Sequence, residues 1–415
     1  MTASSSRFDV IIIGAGLAGM AASIALAGRS ARIPLSVALI DARKAESLTA
    51  LKPDGRALAM TAGSRRMLET MGLWRSIEAH AQPVERIEVI DARLGESYRP
   101  ALLCFDKELI KGEPSAHMVE SYSLYNALYD AVREASTITL KMGEAVETRS
   151  FDAESAGVRL GDGAILTASL IVAADGRDSP SRKAAGLDTI GWSYGQCGLV
   201  TTVEHERAHR ATAVEKFLPA GPFAILPLPG HRSSLVWTES EAEAARLMAL
   251  DNAGYAMEIN RRFDPRLGVA RPVGPRRSHR LALSIARHYV APRLALIGDA
   301  AHVIHPLAGL GFNLGLRDIE ALTQEVMATA RLGLDIGGID TLERYQRRRR
   351  FDAMKVALMT HGLNSLFSNE NPVLRAIRRG GIAVMDHIAP LKKFFMRQAA
   401  GLDGSQPERP TRQSV

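Results

Sequence analysis

The sequence has few cysteines and no hydrophobic segment long enough to cross a membrane. Its 415 residues include two cysteines, Cys104 and Cys197, which are far apart and have no metal-ligand spacing. This excludes a disulfide framework or a cysteine-based zinc site, and it favours a reducing compartment. No apolar run reaches the roughly 18–20 residues that a spanning helix needs. Residues 1–7 are polar and lack a signal-peptide pattern, so we expect a cytoplasmic protein.

The positive charge of the chain is concentrated near its C-terminus. The whole chain carries a net +7, and residues 341–400 contain 12 Lys/Arg against four Asp/Glu, so the remainder is close to neutral. Such a segment could contact an anionic membrane or an acidic protein, and the alternative is a solvated helix face. We expect no nucleic-acid partner, because the four arginines at 347–350 spread around a helix and lack an aromatic stacking platform.

The N-terminal residues have the pattern of a nucleotide-binding βαβ unit. Residues 8–14 and 35–40 are predicted parallel strands, and residues 17–29 a helix between them. The first turn is Gly14-Ala15-Gly16-Leu17-Ala18-Gly19, in which Gly16 lets a pyrophosphate approach the backbone at the helix N-terminus. Asp41 ends the second strand and can accept hydrogen bonds from ribose hydroxyls. This motif alone does not distinguish NAD from FAD.

Two further motifs follow buried strands. Asp175 lies in the sequence ADGRDSPSR directly after a predicted strand at 170–174, where the alternative is an ordinary turn and helix cap. Asp299 follows a second predicted strand at 294–298 and can bond a polyol chain. Glycines at 309 and 311 then free the backbone before a helix at 311–330. The N-terminus of that helix could stabilise negative charge on a reduced isoalloxazine ring.

The remaining pattern predicts a sheet-rich region between nucleotide-binding segments. We expect a helix at 119–135, a strand at 138–142, and a strand pair at 146–160 and 164–174. Residues 195–240 predict an antiparallel sheet in which 217–228 and 233–238 are adjacent strands. From residue 340 onward the pattern is helical, and the polar residues 403–415 predict a disordered tail. A nucleotide domain assembled from separated segments, with an inserted sheet domain, follows from this order.

Together the three motifs resemble those of the class A flavoprotein monooxygenases, in the family's order over residues 8–320. Segments 54–59, 217–228, 305–309 and 313–318 resemble the ubiquinone-biosynthesis hydroxylases (2-polyprenyl-6-methoxyphenol hydroxylase-like) in particular. The resemblance implies an α/β (α+β) fold of the p-hydroxybenzoate hydroxylase type. Its parts would be a Rossmann-like FAD-binding domain (1–82, 115–185 and 276–340), an antiparallel-sheet substrate domain (83–114 and 186–275), a helical C-terminal segment (341–402) and the tail (403–415).

The resemblance also implies a set of site residues. The cofactor would be held by Gly14, Ala15, Gly16, Leu17, Ala18, Gly19, Asp41, Ala42, Arg43, Arg56, Val146, Asp175, Gly298, Asp299, Pro306, Gly309, Leu310, Gly311 and Asn313. The substrate would contact Phe217, Phe223, Leu226 and Trp237. We expect no metal site and assign no catalytic side chain, since the chemistry would belong to the flavin. The family usually has Gln where this chain has Leu310, and Arg near the position of Ser121 and Tyr122.

The activity that the resemblance implies is hydroxylation of a polyprenylated phenol in ubiquinone biosynthesis. NAD(P)H would reduce FAD, O2 would add at flavin C4a, and the hydroperoxide would deliver oxygen to the ring. The expected partners are an apolar phenolic substrate, the inner face of the membrane through residues 341–400, and a complex of ubiquinone-pathway enzymes. The alternatives are a soluble aromatic hydroxylase, a halogenase-like enzyme or quinone-forming oxidase of the same fold, and a flavin-bearing assembly subunit with little turnover.

Overall fold

A computed structural model describes residues 5–28, 33–45, 54–91, 101–106, 113–305, 309–367 and 401. The strands, in chain order, are β1 (Ser5–Ile13), β2 (Val37–Asp41), β3 (Ala57–Thr61), β4 (Ala81–Val84), β5 (Arg86–Asp91), β6 (Leu103–Asp106), β7 (Ala116–Glu120), β8 (Ile138–Met142), β9 (Val146–Phe151), β10 (Ala156–Leu160), β11 (Ile165–Ala173), β12 (Thr189–His205), β13 (Thr212–Leu218), β14 (Gly221–Leu228), β15 (Arg232–Ser240), β16 (Ala270–Pro272), β17 (Arg277–Ala286), β18 (Val290–Ala291), β19 (Leu294–Leu296) and β20 (His302–Val303).

The α-helices are α1 (Leu17–Ala27), α2 (Ala62–Thr70), α3 (Trp74–Ile77), α4 (Ser121–Glu134), α5 (Pro180–Ala184), α6 (Glu241–Ala249), α7 (Asn252–Asn260), α8 (Leu310–Arg331) and α9 (Ile339–Phe367). Short 3-10 turns include Gly298–Ala300 and Pro265–Leu267. None of the helices within the described ranges is long and apolar enough to span a bilayer.

A mainly parallel sheet forms the first layer, and its strand order is β18-β19-β11-β1-β2-β8. The central strand β1 pairs in parallel with β11 and with β2, as the predicted βαβ unit requires. Val10, Ile11 and Ile12 are fully buried, as expected of the central strand of a parallel sheet. The carboxyl ends of these strands therefore lie together, and Gly14 and Asp175 follow two of them.

A nine-stranded sheet of mixed pairing forms the second layer, with the order β20-β17-β12-β15-β14-β13-β5-β6 and β16 beside β12. One face packs on α6 and α7, where Trp237 and Tyr255 are buried. On the other face Ala213 and Leu226 pack with Ala59 of β3. The second face is therefore turned toward the parallel sheet, because β3 is hydrogen-bonded to Asn313 at the start of α8.

Several predicted elements differ in their bounds. Residues 146–160 form two antiparallel strands, β9 and β10, because the polar residues 152–155 make a turn. Residues 217–228 likewise divide: β13 ends at Leu218, and β14 returns from Gly221, whose φ of +146° favours glycine. The predicted helix at 119–135 begins at Ser121, after β7. Predictions for residues 368–400 and 402–415 lie outside the described residues.

The predicted domain bounds stay a prediction, and two strand pairings show how the predicted parts share the antiparallel sheet. β5 and β6 join the antiparallel sheet beside β13, although 126 residues separate Arg86 from its partner Thr212. β17 also joins that sheet, through β12, although the sequence analysis assigned its residues to the FAD-binding part. The chain therefore passes directly from β17 of the antiparallel sheet to β18 and β19 of the parallel sheet.

Candidate active site

The glycine turn after β1 is shaped to receive a phosphate. Gly14 has a φ of +103°, and a Cβ there would lie 2.5 Å from the carbonyl oxygen of Ala174. At Gly16 a Cβ would meet no atom of the described residues within 4 Å, so the backbone there is open to a ligand. Gly16 is also the N-cap of α1, without a side-chain cap. The unpaired N–H groups of the first helical turn are therefore available to an anion.

Asp41 lies beside this turn and is already engaged. Its carboxylate accepts a hydrogen bond from the N–H of Ala15 (2.7 Å) and three from Arg43, through the backbone N–H (2.8 Å), Nε (2.9 Å) and Nη2 (2.8 Å). Burial alone would raise the pKa of Asp41, but Arg43 and the N–H of Ala15 hold it below the ordinary value. A ribose would therefore have to share this carboxylate with Arg43, whose side chain is 51% exposed. Ala42, between them, is exposed.

Val146 begins β9, at the edge of the core close to Asp41. The loop before it is held there because the N–H of Gly143 donates to the carbonyl oxygens of Asp41 (2.9 Å) and Arg43 (2.8 Å). Leu17 and Ala18 lie in the first turn of α1. The predicted adenosine residues are thus neighbours in space.

Asp175 caps a helix. It accepts hydrogen bonds from the hydroxyl of Ser179 and from the N–H of Ser181 (2.9 Å) at the start of α5. The helix-cap alternative is thus realised, and a cofactor contact by Asp175 would need a lone pair not used here. Arg182, which was not predicted as a site residue, is buried and donates to the carbonyl oxygens of Ala300 (2.8 Å) and Arg177 (2.9 Å). Arg182 therefore joins the second motif to the third.

Asp299 extends from the 3-10 turn Gly298–Ala300. It is exposed, yet desolvation by the surrounding protein raises its pKa, against the opposing influence of His302 and Arg177. The exposed carboxylate is thus accessible to a ligand. A Cβ on Gly298 would lie 3.3 Å from the Cβ of Ala18, so this turn packs against the start of α1.

The start of α8 is fixed by Asn313. Its Oδ1 accepts from the N–H of Thr61 (3.0 Å), and its Nδ2 donates to the carbonyl oxygens of Ala59 (2.7 Å) and Gly309 (3.1 Å). Asn313 therefore positions the helix start and β3 and has little capacity left for direct contact with a cofactor. Gly309 is the N-cap, with a φ of +64°, and a Cβ on Gly311 would meet nothing within 4 Å. Pro306 lies outside the described residues, as does the side chain of Leu310.

A basic cluster borders the site. Arg56 is paired with Asp54 (2.7 Å) and half exposed, and Arg277 donates to the carbonyl oxygen of Asp54 (3.2 Å). Burial, followed by the charges of Arg56, Arg277 and Arg177, lowers the pKa of His279. Three guanidinium groups from three separate segments therefore lower the pKa of the same side chain, His279, beside the predicted flavin-binding residue Arg56.

The four predicted substrate residues divide between the two faces of the antiparallel sheet. Phe217 and Leu226 lie on the face turned toward the parallel sheet. Phe223 and Trp237 point to the opposite face and are fully buried against α6 and α7, so the structure does not bring them together with Phe217 and Leu226. Trp237 also donates from its Nε1 to Glu239 (2.8 Å). Successive residues of a strand alternate between faces, so one strand cannot present both Phe223 and Leu226 to a substrate.

These residues fit FAD. The open backbone at Gly16, the exposed carboxylate of Asp299 and the start of α8, which has no side-chain cap, would serve the pyrophosphate, the ribityl chain and the ring in turn. The contacts of Gly14 with Ala174, Gly298 with Ala18, and Arg182 with Ala300 bring the three motifs together. No group of three potential His, Cys, Asp or Glu metal ligands occurs within the described part of the chain.

Comparison with known proteins agrees with this geometry. The family model described as FAD binding domain matches residues 7–359. Ubiquinone hydroxylase UbiL of Rhodospirillum rubrum is 42% identical over 402 residues, which cover 97% of this chain and 91% of that protein. The 3-demethoxyubiquinol 3-hydroxylase of Escherichia coli is 32% identical over 95% of this chain and 98% of its own length.

Solved structures share the fold at low identity. The p-nitrophenol 4-monooxygenase PnpA of Pseudomonas putida superposes with a TM-score of 0.78 at 18% identity, covering 97% of this chain and all of that one. The probable FAD-dependent monooxygenase pqsL of Pseudomonas aeruginosa gives 0.76 at 20% identity, over 91% and 99% of the two chains. This chain therefore belongs to the FAD binding domain family, in the group of flavoprotein monooxygenases that includes the ubiquinone hydroxylases.

Proposed function

We propose that this protein hydroxylates the aromatic ring of a polyprenylated phenol in ubiquinone biosynthesis, with FAD as cofactor and with NAD(P)H and O2 as co-substrates. One observation carries the proposal. The three flavin motifs converge on one edge of the parallel sheet, and opposite them the antiparallel sheet presents partly exposed apolar side chains such as Val200, Val236 and Leu226. An apolar surface facing a flavin site suits an apolar ring. The names of the two relatives above indicate the pathway.

The protein supplies binding and orientation, whereas bound FAD supplies the redox chemistry. The turn at Gly16 and the N-terminus of α1 would hold the pyrophosphate, and Asp299 the ribityl chain. The N-terminus of α8 would direct its unpaired N–H groups and positive dipole end toward the ring, which stabilises negative charge there. Asn313 keeps that helix start in place through Thr61 and Ala59. The substrate sheet would exclude water from the reacting atoms.

The reductant would bind at the basic cluster. Arg56, Arg177 and Arg277 surround His279, and the phosphates of a nicotinamide dinucleotide carry the opposite charge. The cluster lies next to the predicted flavin-binding residue Arg56, so a nicotinamide held there would be close to the isoalloxazine ring. This supports an anionic reductant without choosing between NADH and NADPH.

Contact with the membrane would collect the substrate. On α9, Phe351 and Leu358 are 69% and 63% exposed, and Trp192 of β12, 44% exposed, lies 5.0 Å from the ring of His361 on the same helix. Lys355 lies over the ring of Phe351 (4.8 Å). Exposed apolar side chains beside a cation are typical of a surface that rests on anionic lipid. We extend this to residues 341–400 as a whole, on the inner face of the membrane, and to a place in a ubiquinone-pathway complex.

The deciding experiment is the absorption spectrum of the purified protein, followed by NADPH and NADH oxidation with and without a short-chain prenylphenol. We expect a bound oxidised flavin, oxidation stimulated by the phenol, and a product one oxygen atom heavier by mass spectrometry. A flavin without stimulated oxidation by any prenylphenol would favour the assembly role. Stimulation only by small water-soluble phenols would favour a soluble hydroxylase. The absence of flavin after reconstitution with FAD would overturn the proposal.

A further inference from the structure

One row of side chains crosses the face of the antiparallel sheet that is turned toward the flavin motifs. The strand registers place Val200 opposite Val236, Val236 opposite Ala224, Ala224 opposite Glu215, and Glu215 opposite Val89. Side chains directly opposite one another lie on the same face, about 5 Å apart. The row is therefore a continuous surface that is apolar except at Glu215.

The row is partly exposed, which sets it apart from the other face. Val200, Val236, Glu215 and Val89 are each half-buried, whereas Leu199, Leu235 and Ile225 on the opposite face are fully buried. The same strands are therefore packed on one face and open on the other. A partly exposed surface made mainly of valine side chains has the polarity to accept an apolar ring.

Glu215 has no hydrogen-bond or ion-pair partner among the described residues. Desolvation is the one cause of its pKa rise, to about 7, and no charged neighbour contributes. The ammonium of Lys216 points to the opposite face, where it donates to the carbonyl oxygens of Arg262 (3.1 Å) and Phe263 (3.0 Å). An interior carboxyl without a partner costs stability, so a role in binding a ligand is a reason for its presence.

A second polar group on the same face also lacks a partner. The hydroxyl of Ser234 is fully buried and makes no hydrogen bond to any described residue, and Ser234 lies two residues before Val236 on β15. The charged groups nearest on this face are Asp91, opposite Phe217, and the Glu120–Arg232 pair, joined at 3.1 Å. Glu120 is thus neutralised by Arg232, whereas Glu215 has no cation beside it among the described residues.

We propose that Glu215 receives the phenolic hydroxyl of the substrate on this row and accepts its proton as the ring is hydroxylated. This inference rests on the function proposed above. The phenol O–H bond breaks as the O–H bond of Glu215 forms, and the electron pair stays on the phenol oxygen. The proton moves without its electrons, so this step requires no oxidant or reductant. The ring becomes richer in electrons where the incoming oxygen must bond.

The acidities of the two groups support proton transfer during the reaction rather than before it. A phenol such as that of tyrosine has a pKa of about 10, and burial raises the pKa of Glu215 to about 7. In the resting complex the ionised carboxylate would accept a hydrogen bond. As oxygen adds to the ring, the phenol becomes more acidic and the proton can transfer. A group with a pKa near the working pH is suited to this task.

The test compares wild type with Glu215→Gln, which keeps the shape and removes the charge. Glu204→Gln is the matched control, because Glu204 is exposed on β12 of the same sheet. Flavin content and thermal unfolding are measured first. Steady-state kcat and KM are then measured with a short-chain prenylphenol between about pH 5 and about pH 9, and Kd for the phenol and for its methyl ether is measured from the change in flavin absorbance.

We expect wild-type kcat/KM to fall as the pH drops below about 7, where Glu215 takes up a proton. We expect Glu215→Gln to lower kcat by about 10²–10⁴-fold and to remove that pH dependence. Wild type should bind the phenol more tightly than the methyl ether, and this preference should shrink in Glu215→Gln alone. Glu215→Asp, which keeps the charge but shortens the side chain, should retain the pH dependence with a lower kcat.

The outcomes separate this inference from the proposed function. Wild-type rates, an unchanged pH profile and an unchanged phenol preference in Glu215→Gln, with stimulated turnover in wild type, would overturn the role of Glu215 while the hydroxylase function stands. Flavin reduction without turnover of any prenylphenol by wild type would overturn the proposed function. Should Glu215→Gln fail to retain flavin, the Glu215→Asp profile decides, and loss of its pH dependence would contradict the inference.

Discussion

His302 and Asp318 are joined by a fully buried hydrogen bond, 2.6 Å from Nε2 to the carboxylate oxygen, beneath the turn that carries Asp299. The same carboxylate accepts from the N–H of Gly298 (3.0 Å) and from Nε of Arg349 (2.8 Å). One side chain of α8 therefore holds both the third flavin motif and the helix α9. Burial alone would raise the pKa of Asp318, but His302 and Arg349 keep it below the ordinary value.

We predict that Asp318→Asn destabilises the protein by up to about 3–5 kcal/mol, because it breaks the buried pair with Arg349 and leaves that guanidinium with Asp352 (2.6 Å) as its anionic partner. Urea unfolding at neutral pH measures the loss, and flavin release should accompany it. Because the folded pKa is depressed, the contribution is present above the ordinary value of 3.8 and is lost as the pH falls below it. Asp130→Asn, at an exposed position of α4, should change stability by less than about 0.5 kcal/mol. Equal effects of the two substitutions would contradict the anchoring role.

The sequence predicted the elements whose local signals were strong. The strand, glycine turn and helix from Ser5 to Ala27 were predictable because buried parallel strands and phosphate turns depend on residues adjacent in the chain. The two contacts of Asp318 with His302 and Arg349 were not predictable, because these partners are 16 and 31 residues away in the chain and come together only in the folded protein. Arg182 was missed for the same reason, as it bonds Ala300 across 118 residues.

Side-chain direction on the antiparallel strands could not be read from the sequence. The resemblance implied substrate contacts for Phe223 and Trp237, which lie on the face opposite to Phe217 and Leu226. Register decides which face each residue takes, and register depends on turns such as the one before Gly221. Once the register is known, Glu215 appears on the partly exposed face between Ala224 and Val89, a position for which the sequence predicted no acid or base.

The glycine turn gives a prediction about flavin retention. Gly14→Ala should yield protein with little bound flavin, because the new Cβ would lie 2.5 Å from the carbonyl oxygen of Ala174 at a φ of +103°. Flavin per protein, measured by absorbance after desalting, reports the loss. Gly163→Ala is the control: its φ is +86°, but nothing lies within 4 Å of the added Cβ. If the control loses as much flavin, backbone strain rather than the close contact is responsible.

Stability should depend on pH through Glu215. Its folded pKa is raised by burial from 4.5 to about 7, so the stability that it confers is present below 4.5 and is lost as the pH rises through about 7. We expect Glu215→Gln to gain about 1–3 kcal/mol relative to wild type between about pH 5 and about pH 8. Urea midpoints at the two pH values measure this. A constant difference between the two proteins would show that Glu215 is not desolvated.

The basic cluster predicts which arginine affects the reductant. Arg277 lies on the face of β17 with His279, whereas Arg280 lies on the opposite face near Glu241 (3.7 Å). Arg277→Gln should raise the KM for the nicotinamide dinucleotide about tenfold, or ~1.4 kcal/mol, and reduce its dependence on salt. Arg280→Gln, three residues away, should leave the KM within about twofold of wild type. A similar rise in both variants would point to net charge rather than to a site.

The exposed apolar side chains of α9 predict which residues bind the protein to lipid vesicles. Replacing Phe351 and Leu358 together by serine should weaken sedimentation with vesicles of an anionic phospholipid at least about tenfold, because each side chain would otherwise transfer apolar area out of water. Leu332 and Leu334, 73% and 60% exposed, lie between α8 and α9 and give the matched double serine control. Turnover of a short-chain, water-soluble prenylphenol should be unchanged in both, since neither pair borders the row at Glu215. If the two double variants bind vesicles equally, the contact does not lie on α9. If the double variant at Phe351 and Leu358 also loses binding to neutral vesicles, the apolar side chains bind lipid without a contribution from the charge of Lys355.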